Sequence, residues 1–382
     1  MKKALAFLGI AFLAGPLFSA DLLTAYKKGE IKLVPDAEFG VKTPWDMMFK
    51  AVTDKKMAFL RDGGFFKPAY ADGKIYRFDA NGTKIAEFGG RLGQGPGDLN
   101  GPSFLVVLHG TSLVVYETGN RRFSQFGLDG RFIKVAKIEN PEISMAAPIT
   151  ALVALDGEKV ALVVEDKTST FWTRRMRVLI RNMTTGAETD IASFTDEKPK
   201  SPIFIKNESF DGAVYLARAG SGRLLVAYSK SPEIAFYTLE GKKISSFEIE
   251  TERVPITFDH LEFVMKPDPK DVKAVEGYQK VIVANRDKIL LPEFHPYYLG
   301  LGIDPDGRII LAANNLAKKT RDISWRVYSA EGRFLAAVKL NPGHYELVHP
   351  YEVTIRGDSL YTLLARPDAD GTQFLARVKI SD

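Results

Sequence analysis

Apolar and polar residues alternate with a period of two through most of the chain, the pattern of strands with one face turned inward. The clearest cases are pairs of such runs around a tight turn. They read "KIYRFDANGTKIAEFG" at 74–89, "RRFSQFGLDGRFIKVAKI" at 121–138, "RVLIRNMTTGAETDIASF" at 177–194, "EIAFYTLEGKKISSFEI" at 233–249 and "WRVYSAEGRFLAAVKL" at 325–340. Each predicts strand, glycine-containing turn, strand. The turn glycines Gly82, Gly130, Gly186, Gly241 and Gly332 stand 48, 56, 55 and 91 residues apart. Ahead of each hairpin a second pair of alternating runs is found, for example "SFLVVLHGTSLVVYE" at 103–117 and "LGLGIDPDGRIILAAN" at 299–314.

Four antiparallel strands recurring at this spacing match a propeller blade, whose repeat is about 40–50 residues. The predicted fold is therefore all-β, a six-bladed β-propeller spanning residues 21–382. The C-terminal stretch "YEVTIRGDSLYTLLARPDADGTQFLARVKI" supplies three strands, and "EIKLVP" at 30–35 is an orphan strand ahead of the first blade. The N-terminal strand is expected to complete the last blade and close the ring, which removes the open edge of a linear array. The long last interval holds an insertion at about 251–295. Inside it, "PDPKDVKAVEGYQKVIVANRDKI" at 267–289 predicts one helix with Asp268 as N-cap and Pro269 at the first helical position. Val272, Val275, Tyr278 and Ile282 would form its apolar face. Two roles stay open for it, a lid or partner surface, and a helix packed permanently on blades four and five.

The stretch "GRLGQGPGDLNGP" at 90–102 is glycine-rich but fits neither phosphate-binding loop. Gly97 comes one position early for G-x-G-x-x-G, Pro96 removes an N–H, and strands follow instead of a helix. Together with "VVYETGNRRFSQFGLDG" at 114–130 it carries a family resemblance. The latter resembles the NHL-type repeat V-x-D-x-x-N-x-R-[IV]-x-x-F-x-x-x-G, with Glu117 in place of Asp. "GQGPGDLNGP" is similar to that family's G-x-G-P-G-[EQ]-F-x-x-P linker between blades. The resemblance implies a six-bladed propeller like those of bacterial exported proteins, most without a known activity. The loop then becomes punctuation: Gly93 and Gly95 allow the sharp crossing between blades, and Pro96 and Pro102 stiffen it.

Charge and composition narrow the setting. The N-terminus "MKKALAFLGIAFLAGPLFSA" has Lys2 and Lys3, an apolar run from Ala4 to Ala14, a Gly15-Pro16 break and small residues at Ser19 and Ala20. It predicts a secretory signal peptide over 1–20 cleaved after Ala20, with retention as an anchor as the alternative. The expected location is periplasmic or extracellular, as a monomer with no integral membrane span after signal removal. With no cysteine, the chain has neither disulfides nor a lipoprotein thiol and relies on its core. Its net charge of +5, from 52 basic and 47 acidic residues, is scattered rather than gathered into a one-sign stripe, which argues against nucleic acid.

In a propeller the crossings into the innermost strands ring one mouth of the channel, where side chains from several blades converge. Here they read "KTPWDM", "NGPSFL", "AAPITA", "NESFDG", "FHPYYLG" and "VHPYEVT". Trp45 and Asp46 fall on blade one, His295, Tyr297 and Tyr298 on blade five, and His349, Tyr351 and Glu352 on blade six. Three readings stand side by side: strand starts packed against the next blade, a funnel for a protein or a sugar-like or peptide ligand, and a calcium or zinc site built on His295 and His349. No G-x-S-x-G, thiol or H-E-x-x-H motif is present. The expectation is a non-catalytic exported binding module without a cofactor. The alternative is a metal-dependent hydrolase or lyase of the lactonase or lyase type on the same scaffold.

Overall fold

The protein is a six-bladed β-propeller. The computed structural model describes residues 22–40, 57–90, 92–138, 140, 149–203, 209–220, 222–320, 322–348, 351–366 and 373–380. The chain opens with helix α1 (Leu22–Lys27) and strand β1 (Glu30–Lys32). Blade one holds β2 (Ala58–Phe59), β3 (Phe65–Ala69), β4 (Lys74–Phe78) and β5 (Lys84–Gly89), and blade two β6 (Pro102–Leu108), β7 (Ser112–Glu117), β8 (Arg122–Gly127) and β9 (Phe132–Lys137). Blade three holds β10 (Ala151–Ala154), β11 (Lys159–Glu165), β12 (Thr173–Asn182) and β13 (Glu188–Glu197), and blade four β14 (Val214–Arg218), β15 (Arg223–Tyr228), β16 (Glu233–Thr238) and β17 (Lys243–Glu248). The insertion carries α2 (Phe258–Met265), α3 (Val272–Val281) and a 3-10 turn (Val283–Lys288). Blade five holds β18 (Tyr298–Ile303), β19 (Ile309–Ala313), β20 (Ile323–Tyr328) and β21 (Phe334–Asn341), and blade six β22 (Glu346–Leu347), β23 (Ile355–Arg356), β24 (Ser359–Ala365) and β25 (Gln373–Lys379).

Apolar residues on both faces of each sheet pack against the two neighbouring blades, so the core is a ring of wedges rather than one centre. Phe66 and Leu113 join blades one and two, Phe104 and Leu162 two and three, Val178 and Val226 three and four, and Leu225 and Leu311 four and five. Trp325 and Leu364 join five and six, and Phe65 and Tyr361 six and one. The circle is complete.

Ring closure differs in register from the sequence expectation. Glu30–Lys32 do not extend the last blade; they pair in parallel with Lys339–Asn341, as a fifth strand on blade five. The chain then crosses the seam, and Pro35 bridges Val378 while Asp36 N–H bonds the Arg377 carbonyl at 2.8 Å. Arg377 returns an ion pair to Asp36 at 2.7 Å and also donates to the Ala80 carbonyl of blade one. Pro35 and Asp36 thus stand where a fourth strand of blade six would be. The strand count indicated a missing edge strand, but β1 is placed by α1, whose Tyr26 hydroxyl donates to Asp304 of blade five at 3.3 Å.

All five predicted turn glycines have positive φ, between 73° at Gly82 and 90° at Gly332. Space demands glycine as well: a Cβ on Gly130, Gly241 or Gly332 would run into Phe88, Ile191 or Phe247 on the outer strand of the preceding blade. The linker at 93–102 is architectural, with a shift of detail. Positive φ falls on Gly97 and Gly101, while Gly93 and Gly95 make room for the Asp98 carboxylate, which accepts from Gly95 N–H at 3.1 Å. Arg122 grips this linker through the carbonyls of Gln94 at 2.7 Å and Asp98 at 2.9 Å. The fully buried Glu117 holds Arg122 at 2.8 Å and accepts from Asn100 N–H and the Asn120 amide.

The helix predicted at 267–289 is one helix, α3, followed by a 3-10 turn, and a further helix, α2, precedes it. Asp268 accepts from Lys270 N–H at 2.8 Å in a turn, and the N-cap is Asp271, which accepts from Ala274 N–H at 3.0 Å. Among the described residues no helix is long and apolar enough to cross a membrane.

Candidate functional site

Each blade's inner strand runs from a front face to a rear face. Tyr298 begins β18 at the front and Ile303 ends it at the rear, a separation of about 17 Å at the usual rise per residue. The turns 79–83, 127–131 and 304–308 belong to the rear, and the connections 166–172, 229–232 and 314–322 to the front.

The insertion rises from the front. Its two ends form a short antiparallel stalk, with His295 N–H bonded to the Val254 carbonyl at 2.9 Å and Ile256 N–H to Glu293 at 3.0 Å. Leu261 of α2 and Ile282 and Ile289, which follow α3, pack on Phe210 of blade four, with Tyr278 of α3 alongside. Val275, Tyr278 and Ile282 therefore face inward as their spacing predicts, whereas Val272 is 64% exposed. Ser201, on the chain leaving β13, donates to the Lys288 carbonyl at 3.1 Å and accepts from Leu290 N–H at 3.1 Å. Lys319 of the blade-five connection pairs with Asp259 of α2 at 2.9 Å.

His295 sits beneath this insertion, 3% exposed. Its ring lies 4.7 Å from that of His260, nearly perpendicular, and 5.5 Å from Phe210. His260 Nδ1 accepts from Thr257 N–H at 3.0 Å, which fixes that nitrogen as unprotonated. Neither His295 ring nitrogen has a hydrogen-bond partner among the described residues. Burial, and secondarily the proximity of His260, depresses the His295 pKa to about 4, so the ring is neutral at pH 7.

The other sequence candidates take different places. Tyr298, 1% exposed, is wedged between blades four and five beside Tyr215, whose hydroxyl donates to the Leu299 carbonyl. Tyr297 is half-buried on the same cluster, its N–H bonded to the Ser229 carbonyl at 2.7 Å. Tyr351 packs on the other side of β18, in the wedge between blades five and six. There the blade-six chain approaches so closely that a Cβ on Gly300 would collide with the Tyr351 carbonyl and one on Gly302 with Val353. Glu352 is exposed. Trp45, Asp46 and His349 lie outside the described residues. The structure thus gathers His295 with His260 and Phe210, not with Tyr298 and Tyr351, whose side chains pack on opposite sides of one strand. Neither Phe210 nor His260 stood out in the sequence, because nothing local marks a side chain whose partner comes from an insertion.

Beside this cluster a solvent-open cavity of about 750 Å³ is walled by Pro199, Phe258, Ile289, Leu290 and Leu291, with Arg286 and Asp287 supplying its charges. The Arg286 guanidinium lies 4.4 Å over the Phe258 ring. Among the described residues no three His, Asp or Glu side chains converge as a metal-binding group.

No protein-family model matches the chain, and no functionally curated protein sequence matches it either. Solved structures do. A member of the DUF4221 family from Bacteroides vulgatus is similar over 92% of this chain and 98% of its own, with a TM-score of 0.50 and 12% identity. A Bacteroides fragilis protein named as exported covers 88% of each chain, with a TM-score of 0.47 and 13% identity. A catalytically inactive virginiamycin B lyase of Staphylococcus aureus, solved with quinupristin, covers 85% of this chain and 83% of its own, with a TM-score of 0.44 and 10% identity. At such identities the likeness establishes the fold alone.

Proposed function

We propose that the protein is an exported, non-catalytic propeller of the NHL type that binds a protein or a sugar-like or peptide ligand on its front face, acting as a monomer without a cofactor. The observation that supports this is the uneven distribution of chain. The helical insertion and its cavity stand on the front, with the longer connections 166–172 and 314–322, whereas the rear carries short turns satisfied by their own side chains. Extra chain held on a rigid scaffold is where recognition is usually built. Within this proposal the half-buried Tyr297 and Tyr351 and the exposed Glu352 are the sequence candidates that can meet a ligand directly. Trp45, Asp46 and His349 are assigned to the same role from the sequence. His295 and Tyr298 act from beneath, by shaping the floor.

Site-specific photo-crosslinking in the producing cell tests it. A photoreactive residue at Thr170 or Lys318, exposed on the front, should give discrete adducts, and one at Glu240 or Glu331, exposed in rear turns, should not. Adducts from the rear positions alone, or from none, would refute front-face binding.

A further inference from the structure

The outermost strands of blades one to five share one irregularity. The ladder to each skips a single bulged residue: Ile85, Ile133, Ile191, Ile244 and Leu335 in turn. In blades one, two and four the strand stops four residues further on, at Gly89, Lys137 and Glu248. In blades three and five it runs on, to Glu197 and Asn341. The extra length in blade five carries β1: Lys339 N–H donates to the Gly29 carbonyl and Leu33 N–H to the Asn341 carbonyl, both at 2.8 Å. Counted from the bulge, Lys339 and Asn341 correspond to Thr195 and Glu197 of blade three. Among the described residues no strand lies beyond these.

In an antiparallel sheet a residue turns its N–H and C=O to the same side, and successive residues alternate. Arg175 of β12 donates its N–H to the Ser169 hydroxyl at 2.9 Å, and its carbonyl accepts from Asp166 N–H at 2.8 Å, so its main chain faces β11. Thr195, directly opposite, therefore points away from β12, as do Ser193 and Glu197. On that outer side the Tyr228 hydroxyl donates to the Thr195 carbonyl at 3.2 Å. The N–H groups of Ser193, Thr195 and Glu197 have no partner among the described residues, and all three residues are exposed. A hollow of about 480 Å³ adjoins the strand, with Asp166, Arg175, Arg177, Ser193 and Thr195 in its walls. Sheet edges are ordinarily kept short or covered because they invite pairing, and this one is neither.

We propose that the outer edge of blade three takes up an extended segment of a protein partner as a fifth strand, parallel to β13 as β1 is to β21. Affinity comes from main-chain rungs to Ser193, Thr195 and Glu197, so the segment lacks proline at the positions that answer them. The side chains it turns toward the hollow are polar, like the walls. A sugar or a lipid has no main chain to match this register. Docking here is independent of the binding proposed for the insertion and its cavity.

The test uses a fluorescent peptide with the sequence of residues 28–34, KGEIKLV, which includes the strand paired in blade five, and the same peptide N-methylated at Ile31 and Leu33, against the intact protein. The first should bind and the second should not. Ser193→Pro and Thr195→Pro each remove one outward N–H and leave the ladder to β12 intact, so both variants should melt like the parent and bind the peptide about tenfold more weakly. Val135→Pro, at the corresponding place in blade two, should leave binding unchanged. The methylated peptide decides the matter even where a proline variant folds poorly. Equal binding of both peptides, no binding of either, or binding indifferent to both blade-three prolines overturns the proposal. Sedimentation showing a dimer that Thr195→Pro dissociates would assign the edge to a second copy of the chain instead.

Discussion

On the rear face one device is repeated in five blades, whereas the described connections on the front differ in length and in partners. At the rear, Asp79, Asp129, Asn182, Thr238 and Ser329 each accept from backbone N–H groups within their own turn, and each turn ends in a positive-φ glycine. Every such turn is complete within about five residues. At the front, local caps such as Asp166 and Ser231 are joined by contacts between segments far apart in sequence: His295 meets His260, Ser201 meets Leu290, Asn314 donates to the Pro296 carbonyl at 3.0 Å, and Lys319 meets Asp259. Local closure makes the rear redundant, and long-range closure makes the front specific. A propeller can lose one rear turn and keep its shape, but its front is only as well formed as the contacts between its separate segments.

The sharpest attempt to break this contrast is at the ring closure, where the rear is held by a segment distant in sequence. Removing residues 22–40 takes away α1, β1 and the closing segment, with the buried Leu22, Tyr26, Ile31, Leu33 and Phe39. At about 1.5–3 kcal/mol per fully buried large side chain, the loss approaches the whole stability of a typical domain. The truncated protein should be insoluble or lose its cooperative melt; a melt within a few degrees of the full chain would show that the ring closes without this segment.

A second substitution probes the seam nearer the front. Gly300→Ala drives a methyl into the Tyr351 carbonyl, which only backbone movement can relieve, and should cost about 2–4 kcal/mol. Denaturant unfolding measures it, and a cost below about 0.5 kcal/mol would mean that blades five and six are not held at this distance.

The buried histidine pair predicts a pH dependence confined to the front. In the folded protein His295 has a pKa of about 4, below the ordinary value near 6.5, so the unfolded chain binds more protons between these pH values. Its contribution is fully present above about pH 6.5 and is lost as pH falls toward 4, on the order of 2–3 kcal/mol. His295→Phe should flatten this part of the stability profile, and hydrogen exchange should place the opening in residues 254–295. An identical pH profile in the variant would disprove the role given to this ring.

The smallest effect tests redundancy itself. Ser329→Ala removes acceptors for Glu331 and Arg333 N–H, both at 3.2 Å in an exposed turn, and should cost about 0.5–1.5 kcal/mol without altering front-face binding. A loss of binding in that variant would erase the distinction between the faces.

The same contrast explains what could be read from the chain. Gly82, Gly130, Gly186, Gly241 and Gly332 were legible because a two-strand turn with positive φ has to be met by local residue choice. The blade count followed from their spacing. Strand 30–32 was assigned to the wrong blade because its register depends on Tyr26 reaching Asp304, a pairing 278 residues apart. The helix start moved from Asp268 to Asp271 because both aspartates can cap, and only the turn between them decides. Helix α2 escaped notice since "FDHLEFVM" is short and its buried side, His260 and Leu261, matches a surface supplied by blades four and five. His295 stands beside His260 of the insertion, a neighbour that nothing in the local sequence marks, while His349 lies outside the described residues.

The N-terminal clasp has a consequence under mechanical load. Both ends of the described chain meet the rear of the same seam: Tyr26 carries α1 to the Asp304 turn, and Ile380 N–H bonds the Asp358 carbonyl at 2.7 Å where β25 runs out. Tension applied between the two ends is drawn along β1 and β25, across the parallel hydrogen bonds to β21 and the Asp36–Arg377 pair, so these rungs are loaded together in shear rather than unzipped one at a time. A cargo or surface fastened to either end therefore pulls on the strongest direction of the ring, and the helical insertion on the far side stays presented, undisturbed by the strain.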